Sequence, residues 1–81
     1  MAKYSVLYTE TFYKSLRSIS KKDVKRILSK TIALADDPRP MGCQKLSGRE
    51  RYRIRQGDYR ILYSIEDDRL IVVVVKVCHR R

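Results

Sequence analysis

The sequence is poor in cysteine, histidine, acidic residues and long apolar runs, and each shortage excludes something. Its 81 residues hold two cysteines, one histidine and nine acids against 19 Lys and Arg, and the longest apolar run is Leu70–Val75. A spanning helix needs about 20 apolar residues, so no membrane crossing is expected. Met1-Ala2-Lys3-Tyr4 has no apolar h-region and so shows no secretory signal. Cys43 and Cys78 lie far apart without C-x-x-C spacing, which is read as reduced thiols in a cytoplasmic protein. With His79 they fall short of the usual zinc ligand set, so neither a metal nor another cofactor is expected. The length leaves no room for a second core, which predicts one domain over residues 1–81. Repeats, low-complexity tracts and linkers are absent as well.

What the chain has in excess is positive charge. The formal net charge is +10. Residues 1–40 carry nine cations and four acids and residues 41–81 ten and five, so each half nets +5. No basic tail accounts for the charge, and it belongs to the folded body. Such a surface attracts polyanions.

One punctuation cluster, Asp36-Asp37-Pro38-Arg39-Pro40 followed by Gly42, divides a helical half from a strand half. Tyr4–Tyr8 is β-rich and reads as a strand. Thr9 is a plausible N-cap for a short helix in which Phe12, Leu16 and Ile19 recur at helical spacing, with Tyr13 beside them. Ser20 caps a second helix, with Asp23 in its first turn. Val24, Ile27, Leu28, Thr31, Ile32 and Ala35 form its apolar stripe. Lys21, Lys22, Lys25, Arg26 and Lys30 mostly take the other side, either as a solvated face or as phosphate contacts. Pro38 and Pro40 stop the helix.

The second half reads as strands over Arg51–Gln56, Tyr59–Ile65 and Leu70–Cys78. Gly57-Asp58 is a two-residue hairpin loop. It pairs Gln56 with Tyr59, Arg55 with Arg60, Ile54 with Ile61, Arg53 with Leu62 and Tyr52 with Tyr63. Side chains alternate across a sheet, so Tyr52, Tyr63, Ile54 and Ile61 share a face suited to a core under the helices. Arg51, Arg53, Arg55 and Arg60 share the other. Opposed like charges cost a few tenths of a kcal/mol or more, and guanidinium groups of one sign gathered on one face point to an anion site. Leu70–Val75 is apolar on both faces, which predicts a buried strand with Tyr4–Tyr8 as its neighbour. Leu62, Ile71 and Val73 then fall on the face away from the helices, where nothing in the chain covers them. That apolar surface predicts a partner's docking site.

The order strand, two helices, three strands carries further motifs: Lys45-Leu46-Ser47-Gly48, Tyr52-Arg53-Ile54-Arg55, Gly57-Asp58-Tyr59-Arg60-Ile61-Leu62-Tyr63 and the terminal His79-Arg80-Arg81. Over essentially its whole length the chain resembles the RelE branch of the RelE/ParE toxin superfamily. The resemblance implies an α+β fold, a helical hairpin packed on a small, mostly antiparallel four-stranded sheet in the order β-α-α-β-β-β. It implies the toxin of a type II toxin–antitoxin pair, a metal-independent, ribosome-dependent endoribonuclease that cuts messenger RNA in the A site. The expected partners are the ribosome, messenger RNA and an antitoxin presenting an acidic amphipathic helix, with operator DNA reached only through that antitoxin. Arg53, Arg55, Arg60 and Arg80 match the family's functional basic positions, and His79 falls where some relatives place a His. Lys45, Arg51 and Arg81 are expected RNA contacts, and Leu62, Ile71 and Val73 antitoxin contacts. RelE-like sequences usually continue past the terminal Arg to a Tyr that helps activate the attacking 2′-hydroxyl. The sequence stops at Arg81, so the expectation is a domain without that Tyr or without a short C-terminal segment.

Cleavage by internal attack needs a 2′-hydroxyl deprotonated, the added charge at phosphorus stabilised and the leaving 5′-oxygen protonated. Arg53 and Arg60 suit the charge. Arg55, a poor base like any arginine, suits orientation of RNA or support of charge. His79 alone titrates near neutrality by default and is either the acid–base group or a polar end to its strand. A ParE-like gyrase-binding toxin and a non-catalytic basic nucleic-acid-binding module are the alternatives.

Overall fold

A computed structural model describes residues 3–46 and 51–79. The elements run β1 (Ser5–Tyr8), α1 (Glu10–Ser15), a 3-10 turn (Leu16–Ser18), α2 (Lys21–Ala33), β2 (Gln44–Lys45), β3 (Arg51–Gln56), β4 (Tyr59–Glu66) and β5 (Ile71–His79). They build one sheet in the order β1-β5-β4-β3-β2, with α1 and α2 on one face. The sheet has five strands rather than the expected four. The addition is β2, whose Gln44 and Lys45 pair antiparallel with Arg53 and Tyr52. Two residues are too few to show a period-two pattern in a sequence.

The helices start where their caps dictate. Thr9 accepts from the Phe12 amide at 3.1 Å and Ser20 from the Asp23 amide at 3.3 Å. The first helix is shorter than the Phe12–Leu16–Ile19 spacing predicts. Its Ser15 hydroxyl donates to the Phe12 carbonyl at 2.6 Å and accepts from the Val77 amide at 3.1 Å. The chain then tightens into the 3-10 turn, and Ile19 is extended. In α2 the buried line is Ile27, Thr31 and Leu34, with Val24 and Leu28 half-buried. Ile32, assigned to the apolar stripe from its spacing, is 62 % exposed. The helix leans on the sheet along a narrower band than its composition allows, and the Thr31 hydroxyl meets the Tyr8 hydroxyl at 2.8 Å.

The β3–β4 hairpin has the expected register, Gln56 with Tyr59 through Tyr52 with Tyr63, and adds Arg51 with Ser64. Gly57 takes φ +60°, which its missing Cβ permits. Phe12, Ile27, Leu34, Tyr52, Ile54, Ile61, Tyr63, Ile65, Val72, Val74 and Val77 form the core between helices and sheet. Burying each large aliphatic side chain contributes roughly 1.5–3 kcal/mol. β1 lies parallel to β5, with Val6 on Val72 and Leu7 on Val73.

β5 contains a bulge. Leu62 pairs with Lys76 but Tyr63 pairs with Val74, so Val75 has no opposite number on β4. Thr9 fixes it from the other side: its amide donates to the Val74 carbonyl at 3.1 Å and its hydroxyl to the Val75 carbonyl at 2.6 Å. An extra residue reverses the alternation of the strand beyond it. Val72 and Val74 face the core before the bulge, and Val77 faces it afterwards.

Between α2 and β2 the chain is tied down by side chains. The Tyr63 hydroxyl donates to the Pro38 carbonyl at 2.7 Å. Arg39 grips both carboxylate oxygens of Asp67 at 3.1 and 2.8 Å, donates to the Tyr52 hydroxyl at 3.2 Å, and lies 5.2 Å from the centre of that ring. The Tyr4 hydroxyl donates to the same Asp67 at 2.8 Å.

Candidate nucleic-acid interface

The face of the sheet away from the helices carries the arginines. Pleating sends Arg51, Arg53 and Arg55 of β3 outward while Tyr52 and Ile54 enter the core. Arg60 of β4 stands opposite Arg55, and Leu62 opposite Arg53. Arg53, Arg55 and Arg60 line a cleft of about 360 Å³, closed on one side by Gly42 and Gln44. The Arg53 guanidinium donates to the Gln44 side-chain carbonyl, which fixes its position. Gly42 reaches the cleft from a turn closed by the Cys43 amide on the Pro40 carbonyl at 3.0 Å, and its φ of +93° is one that glycine adopts freely.

Ion pairs join Lys14 to Glu10, Arg39 to Asp67 and Arg69 to Glu66. No carboxylate among the described residues pairs with Arg53, Arg55 or Arg60. Three permanent cations thus face one cleft with only a neutral amide among them. Such a cleft suits a phosphate, whose oxygens accept the forked guanidinium donors.

Other sequence-derived candidates are placed differently. Arg51 shares the outer face with Arg53 but lies further along β3, opposite Ser64 and outside the cleft lining. Lys45 is in register with Tyr52, so it alternates away from the Gln44–Arg53 side. His79 does not join the arginines. It pairs with Tyr59 on the helix side of the sheet, and the two rings meet edge-on with centres 5.2 Å apart. The bulge at Val75 is the cause, because straight alternation along β5 would have put His79 outward. The same bulge turns Lys76 and Cys78 outward beside Leu62 and Arg60. Arg80 and Arg81 lie outside the described residues, as do Ser47 and Gly48 of the motif before β3.

Leu62, Ile71 and Val73 are half-buried on the outer face. Leu7, in register with Val73, joins them and is 51 % exposed. Gln44, Gly42, Lys76 and Leu7 also belong to this face. Alternation about Val6 was the available signal for Leu7, while the other three depend on a two-residue strand, a turn and a bulge.

Four groups in and beside the network around Arg39 are shifted. Tyr4 and Arg39 are raised, each first by its hydrogen bond to Asp67. Hydrogen bonds from Arg39 and then Tyr4 pull the Asp67 carboxyl down to about 2. Burial, and then the neighbouring Cys43 thiol, push the Tyr63 phenol above its ordinary range.

Comparison with known proteins gives a consistent picture. The profile of the family described as ParE toxin of type II toxin–antitoxin system, parDE, matches residues 6–81. The chain is 30 % identical to a chain of the archaeal RelE–RelB complex from Pyrococcus horikoshii OT3, covering 96 % of each chain with a TM-score of 0.86. It is 26 % identical to a chain of the toxin–antitoxin complex RelBE2 from Mycobacterium tuberculosis, covering 96 % of this chain and 99 % of that one with a TM-score of 0.84. A YoeB/ParE toxin from Agrobacterium tumefaciens, at 13 % identity and a TM-score of 0.77, shares the fold. No curated protein matches by sequence.

Proposed function

The chain belongs to the RelE/ParE superfamily of type II toxins, and from that premise we propose that it is the RelE-like kind, a ribosome-dependent endoribonuclease that cuts messenger RNA in the A site and stops translation. The observation that carries this reading is the cleft in which Arg53, Arg55 and Arg60 face one phosphate-sized space with no carboxylate to neutralise them. Arg60 and Arg53 meet the charge that grows on the phosphate as the 2′-hydroxyl attacks, and Arg55 orients the strand. Aligning the attacking oxygen with the leaving oxygen falls largely to the ribosome, which explains how so shallow a cleft can suffice. His79, turned toward Tyr59, is left out of the phosphate contacts. Arg51, further along the same outer face, is assigned to the path of the RNA. Lys45, which alternates to the other face, is left out of it, and the family resemblance assigns Arg80 a catalytic role and Arg81 an RNA contact.

The partner that restrains the enzyme is its antitoxin, a reading supported by the similar RelBE2 structure, which is a toxin–antitoxin complex. Leu7, Leu62, Ile71 and Val73 make an apolar strip beside the arginines. An amphipathic helix with acidic residues matches both, its apolar side drying the strip and its carboxylates meeting the guanidinium groups. Such a helix would occupy the space of the RNA, so neutralisation needs no conformational relay. Operator DNA enters only through that antitoxin. Residues 1–81 act as one domain in the cytoplasm, where ribosomes are.

The test is a translation reaction with purified ribosomes, scored by mapping messenger RNA ends. Cuts at the A-site codon support the proposal. Intact messenger RNA together with inhibited gyrase supercoiling would show the ParE-like activity and end it.

A further inference from the structure

We infer that α2 carries a second phosphate-binding surface, built for the backbone of double-stranded RNA and separate from the arginine cleft; the inference rests on the reading of the protein as one that acts on RNA. Lys25, Arg26, Ser29, Lys30 and Ala33 of α2, with Gln56 at the end of β3, line a shallow, wide-open hollow of about 460 Å³. Residue spacings of one, four, five and eight from Lys25 put these positions on one side of the helix. Its polar lining is three cations, a hydroxyl and an amide, all able to donate to phosphate oxygens. Lys25, Arg26 and Lys30 form no ion pair among the described residues. The small side chains of Ser29 and Ala33 leave room for a close backbone approach.

The hollow has a definite end. Asp23 and Asp58 line the adjoining one of about 180 Å³, with Arg26, Gln56, Gly57 and Tyr59. Two carboxylates there repel phosphate and send the backbone along α2 toward Lys30. From Lys25 to Ala33 the helix rises about 12 Å, long enough to follow a short stretch of one duplex backbone.

The shape of the surface selects a duplex over an unstacked strand: it is a wide-open hollow lined by long cationic side chains, which suits the outside of a duplex and offers no recess to a splayed base. Gln56 faces the helix side of β3 while Arg55 faces the other, so the hollow and the cleft lie on opposite faces of the sheet. One molecule can hold a duplex on α2 and a substrate strand among the arginines at once.

The experiment compares wild type, the triple variant Lys25→Gln/Arg26→Gln/Lys30→Gln and Arg60→Ala. All three are checked for an unchanged melting temperature. Binding to a defined RNA hairpin duplex is titrated across a salt series. Each phosphate contact contributes a slope of about 0.9 in log K against log salt, so losing three cations should flatten it by roughly 2–3, with Arg60→Ala flattening it by at most about 1. In the ribosome assay the triple variant should need more ribosomes for half-maximal cleavage yet keep the rate at saturation, whereas Arg60→Ala loses the rate. A triple variant with wild-type affinity and slope overturns the inference. So does one that keeps duplex binding but loses binding to a polyglutamate peptide, which would assign the hollow to an acidic protein. If wild type cleaves nothing on ribosomes the proposed function falls, while the duplex titration still decides this surface.

Discussion

Arg39 and Arg60 are the same residue in opposite circumstances. Arg39 has a bidentate carboxylate, a phenol oxygen and an aromatic ring around it. Arg60 has another arginine opposite, a third nearby and no acid among the described residues. The first arginine is satisfied within the fold and holds a loop. The second is held on a rigid strand with its donors unspent, which is what a group meant for an outside anion requires. Counting cations could not separate the two roles, because the difference lies in the neighbours.

The largest expected effect tests the unspent side. Arg60→Ala should lower ribosome-dependent cleavage by about 100-fold or more, since losing one transition-state charge partner costs ~2.7–4 kcal/mol. It should leave stability unchanged or slightly raised, because the Arg55–Arg60 repulsion goes with it. Single-turnover rates beside thermal melts would check both, and a variant that loses stability along with rate would break the comparison.

The satisfied side should behave in reverse. Arg39→Ala is expected to lower the melting temperature while cleavage by the folded fraction persists. Tyr63→Phe, which strips the hydrogen bond from the Pro38 carbonyl at the root of the same loop, should cost about 1 kcal/mol in urea melts. Loss of activity without loss of stability in either variant would mean that the loop serves the cleft directly.

A smaller effect is linked to pH. The carboxyl of Asp67 is lowered to about 2 from an ordinary value of 3.8. A carboxyl with a depressed folded-state pKa stabilises the fold above its unfolded value and loses that contribution as pH falls toward the folded one. Wild type should therefore be more stable than Asp67→Asn above about pH 4, with the gap closing by about pH 2. A gap independent of pH would place the effect in packing. The smallest change is expected from His79→Gln, whose cleavage should fall far less than the ~100-fold that removal of a proton-transfer group brings.

Much of this arrangement was legible because local rules governed it. The Gly57-Asp58 loop set the hairpin register, and alternation then put Arg53 and Arg60 on one face. Thr9 and Ser20 announced their helices, and the apolar run after Leu70 required a neighbour on each side, found for Ile71–Val74 in β1 and β4, while Leu70 itself stays exposed in the turn before the strand. What escaped was decided by tertiary contacts. Ile32 fits a helical stripe, but only packing could leave it outside the buried band. Thr9 secures the bulge at Val75 from far along the chain, and one extra residue was enough to carry His79 to the wrong side of the sheet for the arginines. The Arg39–Asp67–Tyr4 network joins three segments whose meeting no spacing foretells.

The position of β5 in the sheet has a consequence for synthesis. It follows the other described strands in chain order, yet it lies between β1 and β4 and supplies Val72, Val74 and Val77 to the core. Until it emerges from the ribosome that makes it, β1 has no partner and the helices have only part of a floor. Pairings this distant in sequence also close slowly, because the loop entropy must be met before the contacts form. The arginine hairpin, by contrast, can close early but would stand on an incomplete base. Nascent chains arrested before β5 should therefore be protease-sensitive and inert, and the cleft stands on a complete base only once β5 has joined the sheet.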